Sequence, residues 1–194
     1  MSQLNEILEF NRAFVADRQY EPYRTSKWPD KKLVVLSCMD TRLTELLPRA
    51  LNLKNGDAKI LKTAGALIAH PFGSIMRSLL VAVYELGAVE VLVIGHHGCG
   101  MAGLDAQRML QTMSDHGISP ATFATLKGAG VDLEEWLRPV SSIPDSVRLT
   151  ISNIRQHPLV PKSLAVHGLM MDPETGKLEI VSEMPSQPSF RMSE

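Results

Sequence analysis

The sequence predicts an α/β fold: a central, mostly parallel sheet flanked by helices, with an antiparallel pair at its C-terminal end. Three observations predict it. The short aliphatic runs Leu33-Val34-Val35-Leu36-Ser37 and Val89 to Ile94 have the pattern of strands buried on both faces. Helical patterns lie between the strands, as crossovers in a parallel sheet require. Near the C-terminus, Leu164 to Met170 and Lys177 to Ser182 flank Asp172-Pro173-Glu174-Thr175-Gly176, a hairpin turn, so the last pair runs antiparallel.

The remaining elements follow in order. Leu4, Ile7, Leu8, Phe14 and Val15 fall on roughly one helical face with Ser2 as cap, so residues 3–18 read as an amphipathic helix. Tyr20 to Lys32 carries Pro22 and Pro29 without periodicity and reads as a connector. A short helix is expected over Thr44 to Leu51 despite Pro48, then a turn at Lys54-Asn55-Gly56-Asp57 and a strand over Ala58 to Lys62. Pro71 is expected to open a helix through Phe72, Ile75, Met76, Leu79, Leu80 and Val83, stopped by Gly87. Residues 102–157 read as mostly helical: Leu104 to His116, a weaker piece at Val131 to Leu137, and Ser146 to Gln156. The tail from Met184 is expected to be mobile.

The 194 residues suffice for one sizeable core, and the expected organisation is a single domain over 1–194. Within it, 1–30 forms an N-terminal helical arm and connector, 31–183 the core and 184–194 the tail. A net charge of −1 gives no electrostatic reason to expect nucleic acid or an anionic membrane as partner. The start of the chain does not read as a secretory signal and no stretch is apolar enough to span a bilayer, so a cytoplasmic location with reduced thiols is expected.

The two cysteines decide the functional reading. Cys38-Met39-Asp40-Thr41-Arg42 follows the first strand, and Gly95-His96-His97-Gly98-Cys99-Gly100 follows the third. In parallel sheets ligands gather beyond the carboxyl ends of the strands. Cys38, His96 and Cys99 can therefore converge, and two thiolates with an imidazole form a natural zinc set that leaves a fourth position for water or substrate. By composition alone, His97, Asp40, His70 or His167 can fill that position in a closed site. Asp40 and Arg42 lie two apart, so an extended segment places them on one face, where a guanidinium fork can hold the carboxylate.

Plainer readings stand beside these. Two buried inert thiols, a single disulfide and a surface Asp–Arg pair are each compatible with the residues. His70 reads as a polar residue near a helix start, and His116 and His157 as helix-end residues favoured by the dipole. Met170 with Met171, and Met109 with Met113, read as packing residues.

Cys-Met-Asp-Thr-Arg after the first strand, Lys62-Thr63-Ala64-Gly65 after the second, Arg77-Ser78-Leu79 in the next helix and Gly95-His96-x-x-Cys99-Gly100 together resemble the β-class carbonic anhydrases of short prokaryotic type. The resemblance covers roughly residues 30–182. It implies four parallel strands plus one antiparallel C-terminal strand, a zinc ion on Cys38, His96 and Cys99, and Asp40 with Arg42 as the catalytic pair. In such proteins the carboxylate either pairs with the arginine or swings onto zinc, making Asp40 a conditional fourth ligand. The resemblance further implies a homodimer or higher homo-oligomer, with the N-terminal helix laid across the partner. Thr41, His97-Gly98 and the segment Ala66 to Phe72 depart from common members, which bears on pocket shape rather than on ligands.

The implied reaction is reversible hydration of carbon dioxide to bicarbonate by a zinc-bound hydroxide, oriented by Asp40, which Arg42 fixes. Two thiolates cancel the formal charge of zinc, so the metal is a weaker Lewis acid than on three neutral histidines, and hydration is expected to favour alkaline pH. His97 reads first as a structural histidine packed behind the site and second as a proton shuttle. Hydrolysis of carbonyl sulfide or carbon disulfide on the same site, and a noncatalytic zinc-binding protein closed by Asp40, are the rival functions.

Overall fold

The computed structural model describes residues 2–183. Five strands form one sheet in the order β2-β1-β3-β4-β5. They are β1 (Leu33–Cys38), β2 (Ala58–Thr63), β3 (Glu90–His96), β4 (Ala165–Met171) and β5 (Leu178–Ser182). The first four run parallel and β5 pairs antiparallel with β4, as expected. All six residues of β1 are buried, which explains why this strand reads as a continuous aliphatic run rather than an alternating one.

The helices fall close to their expected places. Helix α1 (Gln3–Ala16) is capped by Ser2, whose hydroxyl accepts from the Asn5 amide. Helix α2 (Leu43–Ala50) keeps Pro48 inside it and buries Leu43 and Leu47. Helix α3 (Ser74–Tyr84) begins later than expected. The His70 ring accepts from the Phe72 amide and the His70 carbonyl from the Gly73 amide, so residues 70–73 form a turn and Phe72 is left exposed. His70 thus serves the helix entry, as read from the sequence.

The long crossover to β4 holds α4 (Ala106–Asp115), α5 (Pro120–Gly128), α6 (Leu133–Trp136) and α7 (Ile143–Gln156). The separate helix α5 was not anticipated, although Ser119 caps it and Pro120 occupies its first turn, both ordinary start signals. Helix α7 starts three residues ahead of the expected Ser146 because Ser142 caps it, accepting from the Asp145 amide. The expectation of a mobile tail from Met184 lies outside the described residues. Among those residues, no helix is long and apolar enough to cross a membrane.

Helix α7 crosses β3 and β4 where both strands carry glycine. A Cβ on Gly95 would lie 2.7 Å from Ile143 Cγ2 and 2.9 Å from Val147 Cγ2, and one on Gly168 would lie 2.8 Å from Val147 Cγ1. No side chain fits between helix and sheet there. By contrast, no residue of α1 is buried, and Leu4, Ile7, Leu8, Phe10 and Val15 all remain exposed.

The close approach of α7 gives a test away from the strand ends. Gly168→Ala is expected to lower stability by about 1–3 kcal/mol through overpacking, seen as a lower urea midpoint at unchanged slope. An unchanged midpoint would show that α7 is free to move off the sheet.

Candidate metal centre

The sheet order places a topological switch between β1 and β3, since β1 connects outward to β2 on one side and β3 to β4 on the other. Beyond such a point the connecting loops diverge and leave a crevice at the carboxyl ends of the strands. Cys38 ends β1, His96 ends β3, and Cys99 follows a tight turn. That turn requires Gly98, whose φ of 64° is left-handed and open to glycine at little cost.

The three residues meet. The ligand atoms of Cys38, His96 and Cys99 all lie within 4.8 Å of one another and all three residues are buried. The Cys38 and Cys99 sulfurs are 3.8 Å apart, which excludes a disulfide. Two thiolates each about 2.3 Å from a tetrahedral ion would be spaced about 3.8 Å apart. His96 is wholly buried and its Nδ1 lies 2.9 Å from the His97 carbonyl, to which it donates. That bond leaves Nε2 as the lone-pair nitrogen, and Nε2 is buried with no hydrogen-bond partner among the described residues. A buried unpaired nitrogen costs about 1–3 kcal/mol unless something else satisfies it. The donor set fits a borderline-soft ion such as zinc, and the orphaned nitrogen is the observation that supports the fit.

The two thiols differ in their surroundings. Burial pushes the Cys99 thiol up, the neighbouring Cys38 adds to the shift, and a backbone hydrogen bond from Met101 opposes it. At Cys38 the Gly65 amide donates to Sγ at 3.4 Å.

Asp40 stands beside the cluster and is turned onto Arg42. Its Oδ1 accepts from the Arg42 amide at 2.9 Å and from Nε at 3.0 Å, and its Oδ2 accepts from Nη2 at 2.8 Å. The Arg42 guanidinium holds the Asp40 carboxyl well below the usual carboxylate range, helped by the Arg42 amide. Oδ2 also lies 3.7 Å from His96 Nε2, so the carboxylate faces the cluster. Arg42 reaches further, to the Gly98 carbonyl at 3.4 Å, and so ties the loop after β1 to the loop after β3.

The other sequence candidates for a fourth ligand fall elsewhere. His70 is taken by its turn, and His167 faces Glu90 on the sheet at 3.6 Å. His97 is 54% exposed and lies 3.7 Å from Glu179, so the expectation of a histidine packed behind the site is corrected: the turn into Gly98 carries its ring outward. Of the two helix-end histidines, His116 lies against the Thr112 carbonyl as a C-terminal residue should, whereas His157 is buried and accepts from the Leu159 amide. Sequence reasoning missed the Gly65 amide, because a backbone donor carries no residue-type signal. A cavity of about 580 Å³ between α4, α5 and α6, lined by Leu110, Phe123 and Val131 among others, shares no lining residue with the cluster.

Fold and site together define an α/β protein with a candidate metal centre of two cysteines and a histidine at the carboxyl end of its parallel strands. A family model described as carbonic anhydrase matches residues 33–178. The chain is 56% identical to "Putative carbonic anhydrase YtiB" of Bacillus subtilis, over 93% of this chain and 97% of that one. It is 28% identical to a carbon disulfide hydrolase of Acidithiobacillus thiooxidans, over 85% of this chain and 81% of that one. Among solved structures, β-carbonic anhydrase isoform I of Trichomonas vaginalis superposes with a TM-score of 0.86 at 33% identity, covering 94% of this chain and 99% of that one. The chain belongs to the β-carbonic anhydrase family.

The Asp40–Arg42 geometry has a direct consequence for titration. Removing the guanidinium in Arg42→Gln is expected to raise the Asp40 pKa toward the ordinary carboxylate range, read by carboxyl-carbon NMR of the metal-free protein. The stabilisation that Asp40 draws from its lowered pKa is present above the unfolded value and is lost as pH falls through the folded one. An Asp40 titration identical in the variant would show that Arg42 does not hold the charge.

Proposed function

We propose that this protein is a zinc-dependent enzyme that reversibly hydrates carbon dioxide to bicarbonate and a proton, with Cys38, His96 and Cys99 as metal ligands and Asp40 and Arg42 as the catalytic pair. The observation that carries the reading is the ionised Asp40, triply hydrogen-bonded by Arg42, facing a buried two-cysteine, one-histidine cluster. A structural metal site needs no such pair beside it. Zinc held by the three residues would supply Lewis acidity toward water at its remaining position.

The chain's own residues do the rest. Asp40 Oδ2 has a lone pair left after accepting from Arg42, and it is free to accept from a water lying between it and the cluster. That bond orients an oxygen lone pair of the water toward the substrate carbon. Because Arg42 keeps its pKa so low, Asp40 acts as an acceptor and does not store the proton released in the reaction. The proton leaves for solvent. Arg42, fastened to both Asp40 and the Gly98 carbonyl, keeps the carboxylate from rotating away. Two thiolate ligands lessen the Lewis acidity of the metal, so activity is expected to rise toward alkaline pH.

Two further parts of the reading rest on exposure and burial. The unburied apolar face of α1 supports a homodimer or larger homo-oligomer in which residues 1–30 form an arm laid on a second copy. The two free cysteines fit a reducing compartment, which supports a cytoplasmic location.

Zinc analysis combined with stopped-flow carbon dioxide hydration across pH tests the proposal. Cys38→Ser, His96→Ala and Cys99→Ser are each expected to lose zinc and activity together, and full activity in any of them would defeat the ligand assignment. Asp40→Asn is expected to keep its zinc while turnover falls about 10²-fold or more. Loss of the metal there would make Asp40 chiefly a ligand. The same assay with carbon disulfide decides the substrate, faster turnover of the sulfur compound being the outcome that moves it; zinc with neither activity would leave a noncatalytic metal protein. Light scattering is expected to show a dimer or larger species that shifts toward monomer when residues 2–17 are deleted, and an unchanged mass would remove the arm from the interface.

A further inference from the structure

A metal thiolate is tuned by what donates to its sulfur. An N–H directed at the sulfur draws part of the negative charge away from the metal, so partners outside the ligand set change affinity and reactivity. At Cys38 the donor is the Gly65 amide, at 3.4 Å. The loop that delivers this amide is strained. Gly65 has φ of 73° and Ala66 φ of 56°, two consecutive left-handed residues. Ala66 is wholly buried and carries a Cβ in a region that L-residues avoid, so the conformation persists only where its surroundings over-determine it.

Those surroundings are two side chains of α7. Thr150 Oγ1 accepts from the Ile68 amide at 3.3 Å and donates to the Ala66 carbonyl at 3.4 Å. Asn153 Nδ2 donates to the Ile68 carbonyl at 2.9 Å. From the strand side, Thr63 Oγ1 accepts from the Leu67 amide at 2.9 Å. Thr150 is wholly buried and Ile68 nearly so, which leaves little water to replace these bonds. Gly65 is further locked against the segment that follows Cys99, since a Cβ there would lie 3.0 Å from Met101 Cγ. The donors to both sulfurs are therefore carried by two segments in contact.

On the reading that Cys38, His96 and Cys99 hold zinc, we propose that Thr150 and Asn153 are positioning residues which hold the Gly65 amide on the Cys38 sulfur against the strain of its loop, and so set the charge that Cys38 presents to the metal. Neither touches the cluster. Both act through residues 65–68, and a role in packing alone would not alter the bond to sulfur.

The full-length protein is loaded with spin-active cadmium, and couplings between amide protons and the metal nucleus, transmitted through N–H···S bonds, are recorded alongside affinity from chelator competition. Wild type is expected to show a Gly65 coupling. Thr150→Val, close in shape but without the hydroxyl, is expected to lose or weaken that coupling and to bind cadmium about tenfold more weakly. Thr150→Ser is expected to retain both. Asn153→Ala, at a half-buried position, is expected to shift both readouts the same way and serves where Thr150→Val fails to fold. The proposal is overturned if wild type shows no Gly65 coupling, or if the variants lose thermal stability while coupling and affinity stay unchanged. Wild type that binds no cadmium would overturn the metal-centre reading along with it, whereas cadmium binding with no hydration activity in the zinc form would sink only the proposed reaction.

Discussion

The parallel pairing of β1 with β3 is the contact on which the rest depends. Its register runs from Leu33 opposite Glu90 to Ser37 opposite Ile94. Cys38 lies one residue beyond that last pair and His96 two beyond it, so the register brings thiol and imidazole to the same end. A slip of one residue would turn every side chain of β1 to the opposite face of the sheet and carry Cys38 away from His96. The same two strands flank the switch in chain direction, which is why the crevice opens there and not elsewhere along the sheet. Glycine at 95 and 168 then lets α7 settle close to β3 and β4. That closeness brings Thr150 and Asn153 within reach of the loop after β2.

Burying the cluster has a cost that its own hydrogen bonds do not offset. Among the described residues His96 Nε2 has no hydrogen-bond partner, the Cys99 thiol is destabilised as an anion by burial, and the two sulfurs are in contact. A polar core without a role is usually satisfied internally. Here the His96 ring is held by one good bond to the His97 carbonyl and left open at the other nitrogen, as an imidazole ligand requires. The folding energy set aside at these three positions is of the kind that an ion repays on binding.

Most of the fold and nearly all of the cluster were legible in the chain because they rest on patterns that residue type carries. The buried strands read as aliphatic runs, and Asp172 to Gly176 reads as a turn because the Asp172 carboxylate accepts from the Glu174 and Thr175 amides. The start of α3 is not legible in the sequence because Pro71 is equally at home in a turn, and the His70 ring, not the proline, settles the matter. Helix α5 gives little periodic signal because few of its residues are apolar on one face, although Ser119 marks its cap. The exposure of His97 depends on the left-handed turn at Gly98, a consequence of backbone geometry. Gly65 stood in a motif, but its amide bond to sulfur arises from a fold of the backbone that no residue pattern encodes.

Charge explains why Arg42 belongs beside this particular ligand set. On the proposed reading, two thiolates neutralise the formal charge of zinc, so the centre exerts little net pull on a nearby carboxylate. Left alone, Asp40 would face a neutral metal and a neutral imidazole, with desolvation working against its ionised form. The three hydrogen bonds from Arg42 reverse that balance and keep the carboxylate charged and oriented. The pair is itself neutral, which leaves the surroundings of the metal without excess charge. A neutral, nonpolar substrate can enter such a site without a desolvation penalty, and the guanidinium, already committed to Asp40 and the Gly98 carbonyl, is not free to hold an anionic product.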